Sequence, residues 1–225
     1  MGWNINTIYN FLNYMVRKER GAFISPEEAS TALDSAQMEL YEGYFKIYGI
    51  NQQVHDSLSP FKVRLQFTSA SNGIVTQPND YQHLLGGVFT VSGSTICPLR
   101  FISEDELPDA LTNQLRPVNI NSPVALDTPN GFQIYPQVTQ IGFYTYMRRP
   151  AVPILGYVPQ APGSRTLVYN PTQYNAITNP TGSQQIEFLD AYINNIMARA
   201  LKFLGVNMDE QSIVAFAESQ TQQTV

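Results

Sequence analysis

The chain has 225 residues, 43% of them apolar, and 13 basic side chains against 18 acidic ones give a net charge of −5. That apolar content fills a core in one domain or two small ones and excludes disorder throughout. A groove that grips nucleic acid needs clustered Lys and Arg to displace counterions, and no such cluster is present.

No run of about eighteen apolar residues spans a bilayer, and no charged start followed by an apolar stretch marks a signal peptide. The expectation is a protein made in a cytosol and without a membrane partner. The acid is unevenly placed: residues 1–50 carry six acids against four bases and 183–225 five against two, whereas 51–182 balance at seven each. The ends hold all the net negative charge.

Taken in chain order, Ile5, Ile8, Tyr9, Leu12, Met15 and Val16 share one face of a helix predicted over 5–20. Arg17, Lys18 and Arg20 fall near its C-terminal end, where cations oppose the helix dipole, and Gly21 closes it. The same basic run also has the charge of a phosphate contact. In Ser25-Pro26-Glu27-Glu28, Ser25 is placed to cap, Pro26 suits the first helical position, and Glu28 completes a capping box. The helix that starts there runs through Leu33, Ala36, Leu40, Tyr44, Ile47 and Tyr48 to Gly49. Its far end is dense in aromatics, so Tyr41, Tyr44, Phe45 and Tyr48 form a candidate subunit interface, with helical core as the alternative. A further short turn of helix is expected over 51–58.

Beyond Pro60 the composition changes. Fourteen of the fifteen prolines lie between 51 and 182, with NG and SG dipeptides and short alternating runs, which predicts strands joined by tight turns. Phe61, Val63, Leu65 and Phe67 alternate with Lys62, Arg64 and Gln66, a strand with one wet face. Gly86 and Gly87 predict a bulge or a close backbone approach; no lysine and no following helix make them a phosphate loop. Ser103 and the acids Glu104, Asp105 and Glu106 read as a helix start reaching about Leu115. A hairpin is expected from Val124 to Tyr135 and a strand over 141–147. Residues 151–182 are rich in Pro, Gly, Asn and Thr, with a hairpin strand predicted at 166–169, and read as an exposed loop with a task or a flexible lead.

Residues 183–204 repeat the three- and four-residue apolar spacing in Ile186, Leu189, Ile193, Ile196, Met197, Ala200, Leu201 and Leu204. This predicts a long helix with Ser183 as its N-cap and Gly205 at its end. Residues 207–217 read as a short helix, and Ile213, Val214 and Phe216 in their polar setting form a candidate docking arm.

The expected fold class is α+β, with terminal helices packed as a bundle around an inserted, mostly antiparallel β domain. Residues 1–58 hold the N-terminal helices, 59–182 the β insertion with its long loop, and 183–225 the helices and arm that complete the helical unit. No catalytic pattern emerges: G-x-S-x-G, a Walker lysine loop and H-E-x-x-H are all missing, and one cysteine and two histidines supply neither a triad nor a Cys/His zinc site. No enzyme activity, no metal and no cofactor is expected.

The S-P-E-E helix start, S-P-F-K, Q-P-N-D-Y, I-S-E-D-E-L, F-Q-I-Y-P, Y-M-R-R-P and the terminal F-L-G-V-N-M-D-E-Q-S-I-V-A-F-A-E-S occur in an order that resembles virion structural proteins of crAss-like phages. The layout is also similar to the adaptor ring proteins of short-tailed phages. That resemblance implies a head-to-tail connector in the virion neck: a closed homo-oligomeric ring of about a dozen copies under the portal protein. Other neck or tail proteins would adjoin it, and double-stranded DNA would pass without specific binding. It also implies that the C-terminal arm, with Ile213, Val214 and Phe216, docks on the portal. The alternative is a β-rich binding module or a tail-fibre docking protein, favoured by Tyr and Asn in 151–182.

Overall fold

Asn4 starts the first helix, its Oδ1 accepting from the Thr7 amide at 2.8 Å, and Ile5–Arg20 follow as α1. The computed structural model describes residues 3–92, 95–129, 131–160 and 167–206. Ile5, Ile8, Leu12, Met15 and Val16 are buried as their spacing predicts, and Phe11 joins them while Tyr9 is half-buried. Pro26–Phe45 form α2, opened by the full reciprocal box between Ser25 and Glu28. The helix stops at Phe45, short of Gly49, because bonds three residues apart, such as Tyr48 N to Phe45 O at 3.1 Å, tighten the chain into turns over 46–50. Gln52–Leu58 form the short α3.

The last helix, numbered α5 below, is Asp190–Phe203, half a dozen residues shorter at its start than the apolar spacing predicts. Its inward face is Ile193, Ile196, Met197, Ala200 and Leu201. Each large side chain fully buried there contributes about 1.5–3 kcal/mol. It ends in a Schellman motif: Gly205, at φ 79°, donates to Lys202 O at 3.0 Å, and Val206 donates to Leu201 O at 2.8 Å. Glycine accepts that left-handed geometry without a Cβ clash. The helix lies along α2 and also contacts α1.

These helices belong to one compact unit, Met1–Pro60 with Pro150–Val225, and the other unit is Phe61–Arg149. The boundary therefore corrects the expectation of an insertion over 59–182: the stretch after Pro150 groups with the helices. The reason is a set of polar ties. Ala151 O accepts from Gln37 Nε2 at 2.8 Å and Ala151 N donates to Glu187 Oε2 at 2.8 Å. Ser183 is buried here and caps no helix; its hydroxyl accepts from Gly156 N at 2.9 Å and donates to Asn170 O at 2.7 Å.

In Phe61–Arg149 the strands are β1 (Lys62–Thr68), β2 (Ile74–Thr76), β3 (Tyr81–Ser92), β4 (Thr95–Pro98), β5 (Arg100–Ile102), β6 (Val124–Thr128), β7 (Gly131–Tyr135) and β8 (Ile141–Arg148). They form two four-stranded sheets, ordered β1-β8-β3-β4 and β2-β7-β6-β5, antiparallel except for β5 beside β6. Phe67 and Tyr144 of the first sheet meet Phe132 of the second, with ring centroids 5.5 and 5.7 Å from it, and Val75, Ala125 and Ile134 complete the core. Gly86 and Gly87 carry φ of 96° and 65° at a register shift in β3. No atom lies within 4 Å of an added Cβ at either position, so the bulge, and not close approach, explains them.

The expected helix over 103–115 is only Leu107–Thr112, α4, and Ser103 does not cap it. The remaining strands β9 (Tyr157–Pro159) and β10 (Leu167–Tyr169) pair antiparallel in the helical unit. With helices and mostly antiparallel sheets in separate stretches, this is an α+β protein. No helix among the described residues is long and apolar enough to cross a membrane.

Candidate functional site

The aromatic end of α2 divides its four tyrosine and phenylalanine side chains between two roles. Tyr41 is 0% exposed in the whole chain, which removes it from the candidate interface. A side chain already enclosed by its own chain has no surface left for a neighbour. Tyr44, Phe45 and Tyr48 are half-buried. Tyr44 meets Tyr192 of α5 edge-on at 5.6 Å, Phe45 stacks with Tyr48 at 6.2 Å, and Tyr48 stacks on His55 of α3 at 4.8 Å. A Ser57–Tyr192 hydroxyl hydrogen bond closes the seam. Partial burial pushes the Tyr48 phenol above the usual tyrosine range.

Beside this seam lies a shallow groove of about 490 Å³, lined among others by Glu39, Gly43, Tyr44, Ile47 and Arg199. Arg199 reaches Glu39 through Nη1 at 2.5 Å and Asn195 through Nε at 2.7 Å. The Glu39–Arg199 and Tyr44–Tyr192 pairs together show that α2 and α5 run antiparallel. Ile47 and Ile50, 42% and 87% exposed, extend the edge outward. An apolar rim with a charged pair can bind a protein surface.

The other sequence candidates separate. Arg17 lies over the Phe23 ring at 4.9 Å and Arg20 donates to Leu204 O at 2.9 Å, so two cations of the basic run are occupied by the fold itself. Glu106 turns back so that Ser103 N donates to its Oε2 at 3.4 Å, while Glu104 and Asp105 face solvent. His55 Nδ1 stands 3.7 Å from Asp56, Cys97 is buried, and His83 pairs in β3 with Met147. Among the described residues no group of three or more His, Cys, Asp or Glu is placed to hold a metal ion. Ile213, Val214 and Phe216 lie outside the described residues.

Sequence reasoning missed Arg199 and Tyr192, since their partners are more than a hundred residues away and become neighbours only through antiparallel helix packing. No protein-family model matches this chain, and no curated protein matches it.

Proposed function

We propose that this chain is a structural head-to-tail connector of a phage virion, a neck or adaptor ring that joins portal to tail and lines the DNA passage without catalysis. Its partners are further copies of itself, the portal protein and other neck or tail proteins, with DNA passing unbound. The observation that carries the reading is the half-exposed aromatic and aliphatic edge at the end of α2, Tyr44, Phe45, Ile47, Tyr48 and Ile50. A ring needs such surface beyond what one copy buries. The ordered motifs of the resemblance and the net-acidic ends, which would repel phosphates, agree with it. The arm over 207–225, with Ile213, Val214 and Phe216, is assigned to portal docking within this proposal.

The rival reading, a β-rich binding or fibre-docking module, draws on Tyr and Asn side chains in the long loop. Asn170 donates to Thr181 O at 3.0 Å, Asn175 accepts from Ile177 N at 2.9 Å and Asn179 donates to Gln173 O at 2.8 Å. Those amides are spent on shaping the loop, which leaves the rival with only the half-buried Tyr157, Tyr169 and Tyr174 in its favour. Native mass measurement of the purified protein, alone and mixed with a portal protein from the same phage, tests the connector reading. A closed multimer in either sample is expected; single copies in both would refute it.

A further inference from the structure

On the outer face of the β1-β8-β3-β4 sheet, two adjacent cross-strand rows are apolar. Register places Ile96, Val91 and Ile141 side by side in one row and Pro98, Phe89 and Phe143 in the next. The alternating residues Cys97, Thr90, Gly142 and Tyr144 point the other way and are buried. Ile96 and Ile141 remain 65% and 46% exposed in the whole chain. A sheet face that meets only water alternates polar residues outward, so a contiguous apolar patch marks a surface that another molecule covers.

The β1 margin of the patch carries one cation and no acid. The Arg64 guanidinium lies 5.5 Å from the Phe89 ring centre and 5.1 Å from that of Phe143, and the neutral Gln66 and Thr68 stand opposite Phe143 and Ile141. None of the four strands contains an Asp or Glu. The same face of a second copy therefore does not fit, because two cationic margins would meet without an acid. The chain's excess acid lies on α2, where Glu27, Glu28, Asp34, Glu39 and Glu42 meet no base of the same helix and Glu39 pairs with Arg199 of α5. Phe89 and Phe143 are packed against each other at 5.5 Å and roofed by Arg64, and the aliphatic row has no plane on which a base could stack. Protein fits this face better than single-stranded nucleic acid.

We propose that this sheet face docks a second copy of the chain head to tail, through an acidic and partly apolar surface of the neighbour. The proposal rests on the ring reading above, since a contact between two different patches is the kind that closes into a ring. Full-length wild type, Ile96→Glu/Ile141→Glu and Arg64→Glu are compared by native mass measurement, alone and with the portal protein, after circular dichroism and melting have shown that each is folded. Both substituted sites face solvent; should the double variant fail to melt cooperatively, Arg64→Glu carries the test. The expected result is a closed multimer for wild type and a shift to single copies for the variants. Variants that close the ring as wild type does would overturn the role of this face and leave the ring reading standing. Single copies of wild type in both samples would overturn both. Binding of a fluorescent single-stranded oligonucleotide that Arg64→Glu abolishes, with the multimer unchanged, would overturn the proposal in favour of nucleic acid.

Discussion

The guanidinium of Arg20 donates from Nη1 to the main-chain carbonyl of Leu204 at 2.9 Å, across 184 positions of sequence. Leu204 closes α5, where the last carbonyls lack helical partners and the helix dipole favours a cation. One side chain thus ties the end of α1 to the end of α5. Arg20→Ala is expected to lower stability by about 0.5–1.5 kcal/mol, less at high salt because the contact is exposed. Urea unfolding at two salt concentrations reads this, and an unchanged midpoint at both would count against the tie.

The capping box at α2 makes an acid-side prediction. Hydrogen bonds from the Ser25 backbone and then its side chain hold the Glu28 carboxyl below the usual range. A lowered folded pKa means stability that is present above the unfolded pKa and lost as pH falls through the folded one. Glu28→Gln keeps an acceptor for Ser25 N and is expected to flatten the acid limb of a melting profile, while Ser25→Ala costs about 1 kcal/mol at neutral pH. Parallel acid limbs for wild type and Glu28→Gln would contradict the assignment.

Two neighbouring tyrosines of β8 are expected to respond in opposite directions. Tyr146 Oη donates to Asp80 Oδ1 at 3.1 Å, whereas the buried Tyr144 hydroxyl has no hydrogen-bond partner among the described residues. Tyr146→Phe is expected to cost about 1 kcal/mol, and Tyr144→Phe to be neutral or stabilising by up to about 1 kcal/mol, since its ring contacts remain. Burial is the first cause that pushes both phenols up to about 12. Because the unfolded phenols ionise near 10, the contribution is intact below that pH and lost as pH rises through about 12. The double Phe variant should show a flatter alkaline limb in denaturant unfolding from pH 9 to 12. An equal loss from both single variants would refute the contrast.

What was legible in the sequence is what four or five consecutive residues decide. The Ser25 box, the bulge at Gly86 and Gly87, the hairpin of β6 and β7 and the close of α5 at Gly205 all follow from local backbone chemistry. The division of the aromatic cluster was not legible, because Tyr41 and Tyr44 differ only in how deeply the folded chain buries them. Nor was the apolar sheet face: Ile96, Val91 and Ile141 lie on three strands, each with its own alternation, and only register sets them in one row. Local signals also mislead where a tertiary partner competes for the same group.

Ser183 is the sharpest such case, and it separates two readings by a pair of variants. As an N-cap, serine and aspartate are interchangeable, since each offers an oxygen to a first-turn amide. In the structure Ser183 is 3% exposed, and its hydroxyl both accepts from Gly156 N at 2.9 Å and donates to Asn170 O at 2.7 Å. Its main chain adds bonds to Thr172 O at 2.7 Å and from Tyr174 N at 3.1 Å, so the residue knots three segments of the loop. Ser183→Ala leaves a buried amide and a carbonyl without their partner and is expected to cost about 1–3 kcal/mol. Ser183→Asp keeps an acceptor but has no proton to give Asn170, and it sets a carboxylate against that carbonyl in a closed site. Its cost should exceed that of the alanine variant, reaching several kcal/mol unless the carboxyl protonates. Denaturant unfolding of the three proteins decides: an aspartate variant as stable as wild type would restore the capping reading, and the order wild type, alanine, aspartate would establish the knot.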